Sequence, residues 1–149
     1  MPKASVKRLI ECNKEQLIDL VLDIENYPSF IPYCLNSKVY ERKDEEDLTI
    51  IIADLTIGKG LFKATYKSEV KFYKNSDTIH VTNIKGPLKY LENKWSFLEK
   101  DNFTEISFDI DFEIENKFLN IVMSKSFQYG LDKIADSFQE RANNLFKKK

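Results

Sequence analysis

The residues that could carry acid–base chemistry are few and lie far apart in the sequence. The 149-residue chain has a single histidine, His80, which sits in a candidate strand and is expected on the sheet surface. Asp109, Asp111 and Glu113 alternate with apolar residues, so they are predicted to form cross-strand pairs on a solvated face. No serine lies in a nucleophile elbow. These residues predict no catalytic site, and the protein is expected not to be an enzyme.

Metal and phosphate sites are also not indicated. Cys12 and Cys34 are the two cysteines, and they are too few and too far apart for a Cys-x-x-Cys pair. No His, Cys and carboxylate cluster has the spacing of metal ligands. Gly58-Lys59-Gly60 reads as a hairpin turn rather than a phosphate loop. The sequence therefore predicts free thiols in a reducing compartment, no metal and no cofactor.

An apolar segment with two prolines, Asn26–Cys34 (NYPSFIPYC), is the first feature that could bind a ligand. It is predicted to be too short and too broken for a regular element. Exposed, it would be an aggregation liability, so it must pack or meet an apolar partner. It is interpreted either as a loop that plugs one end of the core or as a lid over a cavity mouth.

The segment Gly86–Phe97 (GPLKYLENKWSF) is the second such feature. Alternation along a strand puts Leu91, Asn93, Trp95 and Phe97 on one face. An inward Asn93 needs hydrogen-bond partners if it is buried. It could tie down a neighbouring backbone, or it could orient a ligand in an apolar pocket.

The composition and length of the chain narrow the classes of protein to which it could belong. The chain is 42% hydrophobic, 32% charged and 13% aromatic, with a net charge of −1. This balance argues against non-specific binding to nucleic acid, and no DNA partner is expected. No apolar run reaches the roughly 20 residues of a membrane span, and the amino end has no signal core. We expect one domain over residues 1–149, in the cytoplasm.

A run of lysines is the main electrostatic feature. Between Lys59 and Lys94 there are eight lysines and three acidic residues. Lys59, Lys63, Lys67 and Lys71 have the same parity and are predicted to share the outer face of one strand. This face is interpreted either as a lysine-protected edge or as a surface for anionic lipid or ribosomal RNA.

The hydrophobic periodicity predicts an α+β protein with seven strands. After a strand at Ser5–Ile10, Asn13 is a predicted N-cap with Gln16 at the third helical position. The predicted strands that follow are Cys34–Arg42, Leu48–Ile57, Leu61–Tyr73, Thr78–Asn83, Lys89–Leu98 and Phe103–Ile114. From Asn116 to about Phe146 the period changes to 3.6 residues, which predicts a helix about 45 Å long. The order is that of a curved antiparallel sheet wrapped on a long carboxy-terminal helix.

Three segments of the chain resemble the START-like family of coenzyme Q-binding proteins, which is of the polyketide cyclase/dehydrase type. In sequence order, they are NYPSFIPYC, LTIIIADLTIG and GPLKYLENKWSF. The bacterial branch of this family is also known as the ribosome association toxin family. The resemblance spans nearly the whole chain and implies a helix-grip (START/Bet v 1-like) fold. It further implies a hydrophobic cavity between sheet and helix that holds a polyprenyl quinone.

The resemblance also implies candidate ligand-binding residues. It places Tyr27, Phe30, Pro32 and Tyr33 at the cavity mouth, and Leu91, Asn93 and Trp95 on its wall. Periodicity adds Phe108, Phe112, Met123 and Phe127.

Two functions follow, with a third reading weaker than both. The first is a ubiquinone carrier or chaperone that supports respiratory electron transport and ubiquinone biosynthesis, with peripheral contact at the inner membrane. Each buried methylene contributes about 0.8 kcal/mol, so a prenyl tail supplies affinity through area alone. The alternative is a ribosome association toxin that binds the large ribosomal subunit through the lysine face and blocks 70S formation. The third is a cyclase-type enzyme using the same cavity, which the scarcity of inward acid–base pairs disfavours.

Overall fold

One antiparallel sheet and one long helix organise the protein in this computed structural model, which describes residues 3–31, 34–59, 62–86, 88–114 and 117–146. The sheet has seven strands in the order β1-β7-β6-β5-β4-β3-β2. The strands are β1 Lys3–Ile10, β2 Cys34–Asp44, β3 Leu48–Lys59, β4 Phe62–Tyr73, β5 Thr78–Lys85, β6 Leu88–Lys100 and β7 Phe103–Ile114. The helices are α1 Lys14–Leu22 and α2 Lys117–Phe146.

The start of α1 follows from its capping residues. The Asn13 side chain accepts a hydrogen bond from the Gln16 N–H at 2.8 Å, and the Gln16 side chain accepts one from the Asn13 N–H. This reciprocal capping box satisfies two N–H groups that the first turn leaves free. The predicted N-cap is confirmed.

A 3₁₀ helix at Ile24–Ser29 follows α1 and contains Pro28. The expectation that Asn26–Cys34 would be too broken for a regular element was wrong for residues 26–29, which belong to this 3₁₀ helix. A short 3₁₀ helix accommodates the proline, because its fixed φ is compatible with a helical turn.

The strand alternation places one face of each strand toward α2, and we call this the concave face. On β7 it buries Ile106, Phe108 and Phe112, and on β6 it buries Leu91 and Trp95. Trp95 pairs with Phe108 across the two strands. The carboxy-terminal half of α2 packs on β1 and β7, where Arg8 pairs with Asp136 at 3.1 Å. The predicted fold is confirmed.

One strand boundary differs from the prediction and affects the lysine run. β3 continues through Gly58 to Lys59, and β4 begins at Phe62. Lys59 therefore belongs to β3. The prediction that it shares one strand with Lys63, Lys67 and Lys71 was wrong. Gly60 of the predicted turn and Leu61, the predicted first residue of the next strand, lie outside the described residues.

Candidate ligand-binding site

Five aromatic rings join the sheet, the 3₁₀ segment and α2, and we call them the aromatic wall. The ring of Phe138 on α2 lies 5.2 Å from Trp95, 5.3 Å from Phe30 and 5.7 Å from Tyr27, each in edge-to-face geometry. Trp95 in turn lies 4.1 Å from Phe108. Edge-to-face pairs add to the stability that burial already provides. The wall therefore fastens the 3₁₀ segment to α2, which favours the interpretation of this segment as a plug.

The interior on the β1 side of the aromatic wall is almost full. A space of about 10 Å³ remains there, bounded by Val6, Ile10, Ile106 and Ala135 together with rings of the wall. A volume of this size holds about one water molecule at most. This part of the interior is hydrophobic core rather than a binding cavity.

The concave face is less well covered on the other side of the wall. On β3, Ile51 and Ala53 are each 1% exposed, whereas Leu55 further along the same face is half-buried. Its partner on β4, Tyr66, is also half-buried. We call Leu55 and Tyr66 the open end of the concave face. An apolar surface that the described side chains cover incompletely is where an apolar ligand could be accommodated.

Tyrosine hydroxyls lie at both the wall and the open end. Tyr27 donates a hydrogen bond to the backbone oxygen of Val21. Burial raises the pKa of the phenols of both Tyr27 and Tyr66, because the charged form is disfavoured away from water. Both phenols are therefore neutral hydroxyls over the physiological range.

Asn93 lies next to the aromatic wall, between Val81 on β5 and Ile110 on β7. Its Oδ1 is enclosed and has no hydrogen-bond partner among the described residues. A hydrogen bond to the backbone of a neighbouring strand is made instead by Asn83, whose Oδ1 accepts it from the Leu91 N–H at 2.9 Å. Of the two roles considered for Asn93, the hydrogen bond to a neighbouring strand is thus made by a different residue, and the orientation of a ligand stays a prediction.

The structure brings together some of the predicted site residues. Tyr27, Phe30, Trp95 and Phe108 meet in the aromatic wall, while Leu91, Asn93 and Phe112 lie beyond it toward the open end. Pro32 and Tyr33 lie outside the described residues, as do the side chains of Met123 and Phe127.

Sequence reasoning missed three residues of the site. Phe138 lay within the predicted carboxy-terminal helix, and Tyr66 has the same strand parity as the inward Ser68 and Val70. Nothing in the sequence distinguishes Asn83 from a surface asparagine.

Two larger clefts lie on the surface. One of about 360 Å³ between α1 and β2 is lined by four charged residues, Asp19, Asp23, Glu25 and Arg42, and by four apolar ones, Leu22, Ile24, Val39 and Ile51. Another of about 550 Å³ is lined by Glu11, Asn13, Glu99, Asp101 and neighbouring residues. The carboxylates that line both clefts suit a wholly apolar ligand less well than the concave face does.

The reactive side chains lie apart from the site or are buried as neutral groups. Cys12 and Cys34 are free, and burial raises the pKa of Cys12 to about 11 and also raises that of Cys34. His80 is half-buried on the outer face, 5.4 Å from the ring of Tyr73. Within the described ranges, no three His, Cys, Asp or Glu side chains are grouped as metal ligands. No helix in the described part of the chain is long and apolar enough to span a membrane.

Two relatives of the chain carry different kinds of name. The ribosome association toxin RatA of Rickettsia prowazekii is 27% identical over 143 residues, covering 94% of this chain and 95% of that protein. The mitochondrial coenzyme Q-binding protein of Dictyostelium discoideum is 31% identical over 134 residues, covering 88% of this chain and 64% of that protein.

The fold has a solved counterpart in a START superfamily protein from Mycobacterium smegmatis. The TM-score is 0.80 at 17% sequence identity, with 96% of this chain and 98% of that chain covered. Residues 10–139 match the family described as polyketide cyclase / dehydrase and lipid transport. The chain belongs to this polyketide cyclase/dehydrase and lipid transport family.

Proposed function

We propose that the protein binds a polyprenyl quinone between the concave face and α2 and carries it without chemical change. The observation on which this proposal rests is the uneven covering of the concave face. The β1 side of the aromatic wall has room for about one water molecule, while Leu55 and Tyr66 beyond the wall remain half-buried. A ligand would therefore lie on the open side of the wall.

The polar groups on this side suit a quinone ring. Asn93 is the inward amide next to the wall, and its Oδ1 has no partner among the described residues. The surroundings of Asn93 are otherwise apolar, with Leu91 and Phe112 each 5% exposed. A prenyl tail would gain affinity from burial along such a surface, and one amide would be enough to orient the ring. The relative from Dictyostelium, named as a coenzyme Q-binding protein, supports this ligand class.

The test compares the same substitution on the two faces of β6. Leu91→Lys places an ammonium group on the concave face, where Leu91 is 5% exposed, and Leu98→Lys places it where Leu98 is 56% exposed. An unpaired charge in an apolar interior costs several kcal/mol, so Leu91→Lys should expel the ligand. Each purified protein is extracted with organic solvent and its quinone is measured by mass spectrometry.

We expect quinone in the parent protein and in Leu98→Lys, and at least tenfold less in Leu91→Lys. The thermal midpoint of Leu91→Lys is measured in parallel, and the milder Leu91→Ala is used if Leu91→Lys does not fold. Equal quinone content in the two lysine variants, or none in the parent protein after expression in a quinone-producing host, would contradict the proposal.

A second candidate function is association with a ribosomal subunit. It is favoured by the match to the RatA toxin, which covers 94% of this chain. Lys63 and Lys94 are exposed on the outer face of the sheet, and the Lys67 ammonium lies 4.5 Å from the ring centre of Tyr40. Acidic groups lie on the same face, since Glu69 pairs with Lys71 at 3.4 Å and Asp54 accepts from the Tyr40 hydroxyl. This mixed surface supports ribosome binding less directly than the concave face supports a lipid.

A further inference from the structure

The cleft between α1 and β2 combines apolar and charged side chains in one space. Its volume of about 360 Å³ is within the range of ligand-binding clefts. The apolar lining comes from the end of α1, the start of the 3₁₀ helix, β2 and β3, in the order Leu22, Ile24, Val39 and Ile51. Val39 is half-buried, whereas the other three are almost fully buried beneath it. The inner side of the cleft is therefore apolar.

Three of the four charged residues that line this cleft are acidic. Asp19 lies in the last turn of α1, Asp23 is the C-cap of α1 and Glu25 follows in the 3₁₀ helix, and all three are exposed. The carboxyl end of a helix carries a partial negative charge, so it favours cations and disfavours carboxylates. Arg42, the basic residue of the lining, is paired with Asp44 at 3.3 Å. The cleft therefore has an excess of negative charge that a cationic ligand would offset.

The three carboxylates are not neutralised within the described part of the chain. None of the ion pairs found there involves Asp19, Asp23 or Glu25. Asp23 accepts a hydrogen bond from the amide of Asn26, which is uncharged. The lysines that follow α2 in the sequence, Lys147–Lys149, carry charge but no apolar side chain, so they match only half of this lining. A ligand that matches both halves has cationic and apolar groups together.

The position of the cleft at the edge of the sheet favours a polypeptide ligand. β2 is the last strand of the described sheet, and its side chains Val39 and Arg42 line the cleft, so the edge of β2 that faces away from β3 borders it. Nearer the start of β2, the Ser37 hydroxyl donates a hydrogen bond to the backbone oxygen of Ile24 at 2.8 Å, which holds that part of the edge against the 3₁₀ helix. An extended peptide adds to a strand edge through main-chain hydrogen bonds, which a small amine cannot make.

We propose that this cleft binds an extended segment of a partner protein that carries both basic and large apolar side chains. The basic side chains pair with Asp19 and Glu25, and the apolar ones lie against Val39. Opposite charge selects the segment, and apolar contact adds affinity. The inference goes beyond the proposed function, because the cleft includes no residue of the aromatic wall or of the open end of the concave face.

The test titrates the protein with the capped hexapeptide Lys-Lys-Leu-Leu-Lys-Lys and follows its backbone amide signals by NMR. When extended, this peptide presents lysine, leucine and lysine on each of its two sides. We expect the signals of residues 19–25 and 38–42 to shift most. The double variant Asp19→Asn, Glu25→Gln should bind about tenfold more weakly, since it loses two exposed ion pairs.

The matched control is the double variant Glu11→Gln, Asp101→Asn, which removes the same charge from the second cleft. Asparagine is tolerated at position 101, where φ is +54°. This control should bind the peptide within about twofold of the parent protein, because the two variants have the same net charge. Equal losses in both double variants, or no shift in residues 19–25 and 38–42, would overturn the proposal.

Two further measurements identify the occupant. The peptide Lys-Lys-Ser-Ser-Lys-Lys should bind at least about fivefold more weakly, because it loses the apolar contact. Replacing all three of Lys147, Lys148 and Lys149 by alanine should leave binding of the first peptide unchanged. Equal affinity for the two peptides would mean a general acidic surface. Tighter binding after the lysine replacements would mean that the chain's own lysines occupy the cleft. Either result would contradict a partner segment with apolar side chains.

Discussion

The two inward-facing asparagines, Asn83 and Asn93, differ in what their side chains contact. Asn83 accepts a hydrogen bond from the Leu91 N–H, whereas the Oδ1 of Asn93 is enclosed without a partner in the described part of the chain. A buried polar atom without a partner costs roughly 1–3 kcal/mol, and removing it can stabilise a protein. The same chemical group is therefore hydrogen-bonded within the fold at one position and without a described partner at the other.

This contrast predicts opposite effects for the same substitution. Asn93→Leu, which is close in volume, should leave the free energy of unfolding unchanged or raise it by about 1 kcal/mol. Asn83→Leu should lower it by about 1–2 kcal/mol, because the Leu91 N–H loses its acceptor. Urea unfolding measures both, and mass spectrometry should find less quinone in Asn93→Leu. A large destabilisation by Asn93→Leu would show that Asn93 stabilises the fold and would contradict a ligand-binding role.

The hydrophobic periodicity of the sequence predicts the strands and helices around the site, but it does not predict every contact between them. The alternation Ile106, Phe108, Ile110, Phe112 predicted β7 and its buried face, because one face of an antiparallel strand packs on a core and the other meets water. The aromatic wall could not be predicted as a unit. Phe138 and Tyr27 lie 111 positions apart in sequence, and only the packing of α2 on the sheet brings their rings together. Periodicity specifies a buried face but not which ring across the core it contacts.

The connection between β5 and β6 depends on a glycine for a reason that the sequence does not reveal. Gly86 has a φ of +143°, and a Cβ added there would lie 2.7 Å from the Cβ of Tyr66. Both the backbone conformation and the close approach exclude a side chain. The backbone at Gly86 therefore lies close against Tyr66, at the open end of the concave face.

Gly86→Ala should therefore lower the free energy of unfolding by about 1–3 kcal/mol. The neighbouring Lys85→Ala serves as control, because Lys85 is exposed on the same strand and its loss should cost less than about 0.5 kcal/mol. Urea unfolding at neutral pH compares the two variants. Equal stability of Gly86→Ala and the parent protein would mean that the backbone at Gly86 does not lie in close contact with Tyr66.

Considered as a whole, the protein has two chemically different surfaces on opposite sides of one sheet. The concave face is apolar and faces α2, while the outer face carries exposed lysines interspersed with acids. Strand alternation keeps the two chemically separate, because neighbouring residues such as Leu91 and Lys94 of opposite parity point to opposite sides. A change to one surface should thus leave the other intact, and the two candidate functions can be separated by mutation.

The separating experiment pairs Leu91→Lys with a Lys63→Glu, Lys67→Glu, Lys94→Glu triple variant. If the protein works as a quinone carrier, the triple variant should rescue a respiration defect in a strain lacking the protein, and Leu91→Lys should not. If it works on the ribosome, the triple variant should lose binding to purified ribosomal subunits and Leu91→Lys should keep it. Binding through lysines should also weaken as salt is added, because phosphate contacts release counterions. Full rescue of respiration by both variants would show that the concave face is not the working part of the molecule.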